Sequence, residues 1–268
     1  MIIELSEFFN NPSLINIGFL KIQYYAVTWI LSAVFIFQYL KNHSIIKELG
    51  LSEEQANDIV FLYGLIFGAM LGGRVGYMLF YGLDQLIANP ISLFFVWEGG
   101  LSFHGGLMGV ITSLYVYSIK QAISFLRLAD AVCAAMPIGL GLVRIGNFLN
   151  GELYGRPTDG SWGFIFPTDP YGLPRHPSQL YEMLFEGIIL FLLLIWIGKN
   201  TNKTGVLSGS FLMGYGVIRF FIEFFRQPDA HMGFITLQLS MGQILSIPMF
   251  IIGLILLIKS LKKYEAIS

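Results

Sequence analysis

Charge is scarce in this sequence. Of its 268 residues only 12% are Asp, Glu, Lys or Arg, about half the share of an ordinary soluble domain. Against that, 55% are hydrophobic and the mean hydropathy is +0.67. A chain so poor in charge places itself in a bilayer. The net charge of −1 supplies no global basic field, so nucleic acid is not an expected partner. Cysteine is nearly absent too: Cys133 stands alone, which rules out an internal disulfide and reads as a small thiol packed in an apolar stretch. There is no G-x-S-x-G elbow, no H-E-x-x-H and no cysteine–histidine cluster, so a serine hydrolase or zinc protease lacks its equipment. The four histidines, His43, His104, His176 and His231, are scattered, and a metal site is not expected. The first ten residues hold Glu4 and Glu7 with no cationic stretch and no small-residue cleavage pattern, so a removable signal peptide is not expected.

Apolar runs of about 20 residues are what the chain has in quantity. Residues 22–40, 59–80, 101–119, 131–149, 180–197, 206–225 and 241–258 predict an all-α polytopic membrane protein of about seven transmembrane helices in a single domain over 1–268. The shorter apolar piece 90–100 fits an interfacial or re-entrant segment. Lys41, Lys47, Lys120, Arg127, Lys199, Lys203, Lys259, Lys262 and Lys263 fall in alternate loops on one side, against Lys21, Arg156, Arg175 and Arg226 on the other. That bias predicts an outer amino terminus, a cytoplasmic carboxyl terminus and an outer loop over 151–177. Arginine follows a different rule from lysine: apart from Arg127, the arginines lie within spans or on the outer side. Lysine sets topology, whereas arginine is placed where a planar, bidentate anion ligand is wanted.

Arg74, Arg144 and Arg219 each interrupt an apolar span, and a helix-centre arginine costs about 3 kcal/mol even on lenient insertion scales. Ion pairing or snorkelling toward headgroups is the plain explanation, and for Arg74 it stands level with a ligand role. Arg144 and Arg219 have polar company. Tyr215, Arg219 and Glu223 follow at four-residue spacing, one face of one helix. Arg144 and Asn147 share a face, and the chain continues through Asn150, Gly151, Glu152, Gly155 and Arg156. Gly68, Gly72 and Gly76, with Gly139, Gly141 and Gly146, let helix backbones approach closely nearby. His104 stands before Gly105 and Gly106, which leave its imidazole accessible.

Read consecutively, residues 144–158, Arg144-Ile-Gly-Asn-Phe-Leu-Asn-Gly-Glu-Leu-Tyr-Gly-Arg-Pro-Thr158, resemble the signature segment of the prolipoprotein diacylglyceryl transferases. Further similarities follow in order: Gln23-Tyr24-Tyr25, Gly72-Gly73-Arg74, His104-Gly105-Gly106-Leu107, residues 175–182 and residues 215–223. They cover nearly the whole chain. Gln23 departs from the family, where a histidine or other polar residue is common. The resemblance implies a multi-pass enzyme of the bacterial inner membrane. It would transfer the diacylglyceryl group of phosphatidylglycerol to the lipobox cysteine in a prolipoprotein signal peptide, forming a thioether and releasing glycerol phosphate, the first step of lipoprotein maturation.

That reaction gathers negative charge on a departing phosphate, which suits pre-positioned guanidiniums in a water-poor site. Arg144 and Arg219 are therefore expected on the phosphate, with Glu152 and Glu223 orienting them. The acceptor thiol attacks as thiolate. His104 is the candidate base, and Tyr25 is the alternative group for positioning thiol or headgroup. Asn147 is expected on the glycerol headgroup, and Arg74, Gly155 and Tyr215 complete the expected substrate contacts. Arg156 and Arg175 are expected to guide substrate from the outer loop, whose stretch 158–175 is expected to cover the site. A secondary transporter of an anionic lipid or metabolite also buries arginines with carboxylate partners. The absence of an internal repeat, and polar groups gathered at one depth, weigh against it. A seven-helix scaffold or receptor would leave the stripe without purpose.

Overall fold

A computed structural model describes residues 1–5, 13–17, 20–96, 99–228, 234–236 and 238–265; Glu7 and His231 lie outside them. The fold is mostly helical. After strands β1 (Ile2–Glu4), β2 (Ser13–Ile17) and β3 (Leu20–Gln23), α1 runs Tyr24–Asn42, α2 Ser44–Glu48 and α3 Glu53–Phe80. Helix α4 (Leu83–Ala88) and a 3-10 turn at Pro90–Phe94 precede α5 (Phe103–Lys120) and α6 (Phe125–Leu149). Strands β4 (Gly163–Ile165) and β5 (Pro174–Arg175) lead to α7 (Ser178–Asn200) and α8 (Val206–Ile222). Strands β6 (Phe234–Thr236) and β7 (Leu239–Ser240) precede α9 (Met241–Glu265). Four of the helices, α3, α6, α7 and α9, are long and apolar enough to cross a membrane, and α8 is a shorter apolar helix.

Two helices begin earlier than the apolar runs suggest, each for a local reason. At the start of α3 the Ser52 hydroxyl accepts from the Gln55 backbone N–H at 3.2 Å while the Gln55 carbonyl oxygen accepts from the Ser52 N–H at 2.9 Å. This capping box satisfies donors the helix would otherwise leave open. At the start of α6, Arg127 is only 5% exposed and is gripped by both Glu48 carboxylate oxygens, so a charge assigned to a loop belongs to a helix. In the segment 90–100 the carbonyls of Ser92, Gly99 and Gly100 accept from the Arg74 guanidinium.

The chain divides into two compact units, residues 36–131 and residues 1–35 with 132–268. Within the first, α3 and α5 meet backbone to backbone. A β-carbon at Gly72 would sit 2.7 Å from the Gly105 carbonyl oxygen, and one at Gly76 would sit 2.6 Å from the Gly105 Cα. The glycines at four-residue spacing are therefore spaces that the facing helix fills, with dispersion as the attraction where lipid removes the hydrophobic drive. Within the second unit, α6 and α7 touch at Gly141 and Gly187, where an added β-carbon would stand 3.1 Å from the facing Cα. Gly146 of α6 faces Tyr25 and Thr28 of α1, and Gly209, Gly216 and Gly253 bring α8 against α9.

The stretch after α6 is built rather than loose. Strand β1 pairs parallel to β4, and β4 pairs antiparallel to β5. Asp169 holds the turn between them. Its carboxylate accepts from Arg175 Nε at 2.7 Å and Nη2 at 2.9 Å, and from the Leu173 N–H at 3.1 Å. Burial raises the Asp169 carboxyl, but the Arg175 and backbone donors outweigh it and hold it below its usual range. A lowered folded-state value stabilises the fold at neutral pH, and that contribution is lost as pH falls through the folded value. Asp169→Asn is expected to destabilise the detergent-solubilised protein by about 2 kcal/mol at pH 7. In thermal unfolding the gap between the two proteins should close as pH drops below about 4; a gap that persists there would exclude the ion pair as its cause.

Candidate functional site

Glu182 has no exposed surface and lies on the first turns of α7, where the helix leaves Pro177. The Gly141–Gly187 contact draws α6 against this part of α7, and Arg144 follows Gly141 by about one turn. Beyond Glu182 the helix widens to π geometry over Met183–Ile189, a local form that recurs at functional sites. This segment carries Glu186.

Charged groups from three helices converge here. Glu182 Oε2 receives Arg144 Nε from α6 at 2.6 Å and Arg219 Nη1 from α8 at 2.9 Å, and Glu182 Oε1 receives Arg226 Nη1 at 3.2 Å. Arg219 also reaches Glu186 at 3.5 Å and, through Nη2, Glu223 at 2.5 Å. Glu223 is held in turn by the Ser240 hydroxyl, which donates to it at 2.6 Å. Gly242 leaves the room, since a β-carbon there would lie 2.5 Å from the Glu223 carboxyl. Tyr215, one turn before Arg219, lies within electrostatic reach of Glu186, Arg219 and Arg144.

Three arginines against three carboxylates explain how the spans tolerate their charge. Each ion alone is expensive to desolvate, and the Coulomb attraction is strong where water is excluded. The network is nonetheless not fully closed. Arg144 gives Nε to Glu182 and Nη1 to Asn147 Oδ1 at 3.2 Å, and among the described residues its Nη2 meets no acceptor. An open edge of a fixed guanidinium is a ready ligand for a phosphate or carboxylate oxygen.

The segment after Arg144 is shaped to hold that arginine. Asn147 accepts from Arg144 and donates Nδ2 to Glu152 Oε1 at 2.8 Å. Gly151 and Leu153 have φ of 65° and 57°, a conformation that strains the leucine. The Gln179 amide and Ser178 hydroxyl hold the carbonyls of Glu152 and Leu153. Gly155 is pressed between backbones: its N–H donates to the His176 carbonyl at 2.8 Å, and a β-carbon would lie 2.5 Å from the carbonyl oxygens of His176 and Phe225. Arg156 donates to the Glu223 and Arg226 carbonyls at 3.0 and 2.9 Å, fastening the end of α8.

Of the residues expected from sequence, Arg144, Asn147, Glu152, Gly155, Tyr215, Arg219 and Glu223 therefore belong to one constellation. Tyr25 is in the same unit, half-buried on α1 beside Gly146. Arg74 and His104 belong to the other unit. Arg74 is 2% exposed, donates to the backbone carbonyls of Ser92, Gly99 and Gly100, and lies 5.9 Å from the Tyr77 ring centre. His104 is exposed on the first turn of α5, where the Ser102 hydroxyl caps the helix by accepting from the Gly105 N–H.

Three expectations change. Arg156, expected to guide substrate, fastens the end of α8. Among the described residues Glu152 touches no arginine, and Asn147 stands between it and Arg144. Arg175 does not face incoming substrate: it is 5% exposed, clasped by Asp169 and stacked over the Tyr154 ring at 4.9 Å. Sequence reasoning also missed the three groups that complete the network, Glu182, Glu186 and Arg226. The signal was available, since Glu182 and Glu186 are four apart in an otherwise apolar run. Averaged hydropathy hides the two glutamates in that run.

Comparison with known proteins shows the family. The sequence pattern described as prolipoprotein diacylglyceryl transferase matches residues 12–259. A phosphatidylglycerol–prolipoprotein diacylglyceryl transferase of Idiomarina loihiensis is 47% identical over 255 residues, covering 94% of each chain. The protein of that name from Geobacter sulfurreducens is 46% identical over 244 residues, 91% of this chain and 93% of its own. That from Vibrio campbellii is 45% identical over 253 residues, 94% of this chain and 92% of its own. A match over residues 12–259, with relatives 45–47% identical over more than nine-tenths of the chain, means that this chain belongs to the prolipoprotein diacylglyceryl transferase family.

Proposed function

We propose that this enzyme transfers the diacylglyceryl group of phosphatidylglycerol to a prolipoprotein, the reaction named for its relatives. In finer detail, the thiol of the lipobox cysteine attacks the glycerol carbon that bears the phosphate. A thioether forms and glycerol phosphate leaves. The observation that carries this reading is the Arg144 edge, a partly buried guanidinium held on two sides with a third donor open. Arg144 and Arg219 take the phosphate oxygens and stabilise the charge that grows on them as the carbon–oxygen bond breaks. Asn147 takes a headgroup hydroxyl, and Tyr215, Tyr25 and Gly155 bound the substrate's place. Glu182 and Glu223 act through the arginines, keeping each fork aimed.

His104 is proposed as the base that draws the thiol's proton, since an exposed imidazole on a first helical turn is free to meet an incoming peptide. Arg74 is proposed to act indirectly, by fixing the 92–100 segment through its carbonyls. The enzyme is proposed to work as one integral domain over 1–268 in the bacterial inner membrane. Seven spans would place the amino terminus outside and the carboxyl terminus in the cytoplasm, following the lysine bias. No cofactor enters, because the phosphate already activates the lipid.

Reconstituted enzyme given labelled phosphatidylglycerol and a lipobox peptide should place the label covalently on the peptide. Arg144→Ala and Arg219→Ala should each slow transfer by about 100-fold or more, with lysine a poor substitute because it lacks the planar fork. Transfer left intact in either folded variant would refute the phosphate assignment. For His104→Gln, a fall of about 100-fold together with a flattened acid limb of the rate–pH profile is expected. An unaltered profile would remove the histidine from the proton transfer.

A further inference from the structure

We infer that Glu186 takes up a proton when the lipid phosphate docks on Arg144 and Arg219, and passes it to the departing phosphate during transfer. The inference rests on the phosphate reading of those two arginines. With every group ionised, Arg144, Arg219 and Arg226 already balance Glu182, Glu186 and Glu223. Arg156 and Glu152, at the edge of the cluster, add one charge of each sign. A phosphodiester brings one more negative charge into a site walled by apolar helices, where an uncompensated charge is strongly opposed. A proton restores the balance at the smallest volume.

The contacts single out which carboxylate receives it. Glu182 uses both oxygens on three guanidiniums at 2.6 to 3.2 Å. Glu223 has Arg219 at 2.5 Å, the Ser240 hydroxyl at 2.6 Å and Arg226 at 3.7 Å. Among the described residues Glu186 has one polar contact, Arg219 Nη1 at 3.5 Å, and its Oε2 has no hydrogen-bond partner although the residue is 1% exposed. The charged and titratable groups that face it are Glu182, one turn earlier on α7, Arg219 and Tyr215 from α8, and Arg144 from α6. Glu182 repels its charge. A phosphate on Arg219 would draw that guanidinium from the weakest of its three carboxylates, which is Glu186. Protonated, Glu186 offers a hydroxyl that can donate to the same phosphate.

The transfer then balances. The thiol gives its proton to the base, the sulfur–carbon bond forms, and the carbon–oxygen bond breaks with its electron pair left on the phosphate oxygen. Glu186 supplies the proton that keeps the leaving glycerol phosphate singly charged. The carboxylate so restored competes again for Arg219, which favours release.

The test separates this step from the phosphate reading. Purified enzyme is titrated calorimetrically with short-chain phosphatidylglycerol, without acceptor peptide, in two buffers of different ionisation enthalpy. The wild-type protein is expected to take up about one proton per lipid bound, and Glu186→Gln to bind the lipid with none. Binding without uptake in the wild type overturns the inference, as does equal uptake in Glu186→Gln. Failure of the phosphate reading gives a different result, namely Arg144→Ala and Arg219→Ala that bind the lipid as tightly as the wild type. The wild-type protein also provides a check without any variant: an infrared difference spectrum, lipid-bound minus lipid-free, that gains no protonated-carboxyl band overturns the proposal.

Discussion

A carboxylate sealed from water, Glu182, joins guanidiniums from α6, from α8 and from the turn beyond α8. Each of these groups would be unwelcome alone among apolar helices, and removing one partner of a buried pair commonly costs about 3–5 kcal/mol. The interaction therefore fixes more than charge. It sets the register of α6 and α8 against α7, and the glycine contact at Gly141 and Gly187 lets the helices come close enough for it to form. It also leaves Arg144 aimed, since a guanidinium anchored through Nε and Nη1 presents Nη2 in one direction.

The backbone after Arg144 extends the same constraint. Leu153 is held at a positive φ by hydroxyl and amide donors from the start of α7, and Gly155 is the residue without a side chain to obstruct the meeting of three backbones. The signature segment is thus read here as support for one arginine, with Asn147 relaying between Arg144 and Glu152. Arg156, which the sequence places in an outer loop, closes the end of α8 instead.

What could be read from sequence followed the physics of single elements. Apolar length located the helices, with ends off by up to about seven residues, and four-residue spacing paired Arg219 with Glu223 correctly. What could not be read depended on contacts between elements. The four-residue spacing of Glu182 and Glu186 marks a polar face in the run 178–200, but not that it meets Arg144 and Arg219 from other helices. Likewise Arg175 looks free in sequence until Asp169 is placed beside it. The glycines of α3 are legible as close-packing residues, whereas Gly105, which leaves room beside His104, is also the surface that α3 packs upon.

The buried ion network is proposed to present Arg144 and Arg219 to a phosphate. A structure of the enzyme with phosphatidylglycerol bound is the decisive measurement. Phosphate oxygens are expected within hydrogen-bond distance of Arg144 Nη2 and of the Arg219 guanidinium, with the Glu186 contact to Arg219 lengthened. A lipid phosphate lodged elsewhere, with all the arginine–glutamate contacts unaltered, would contradict this and leave the network a purely structural device.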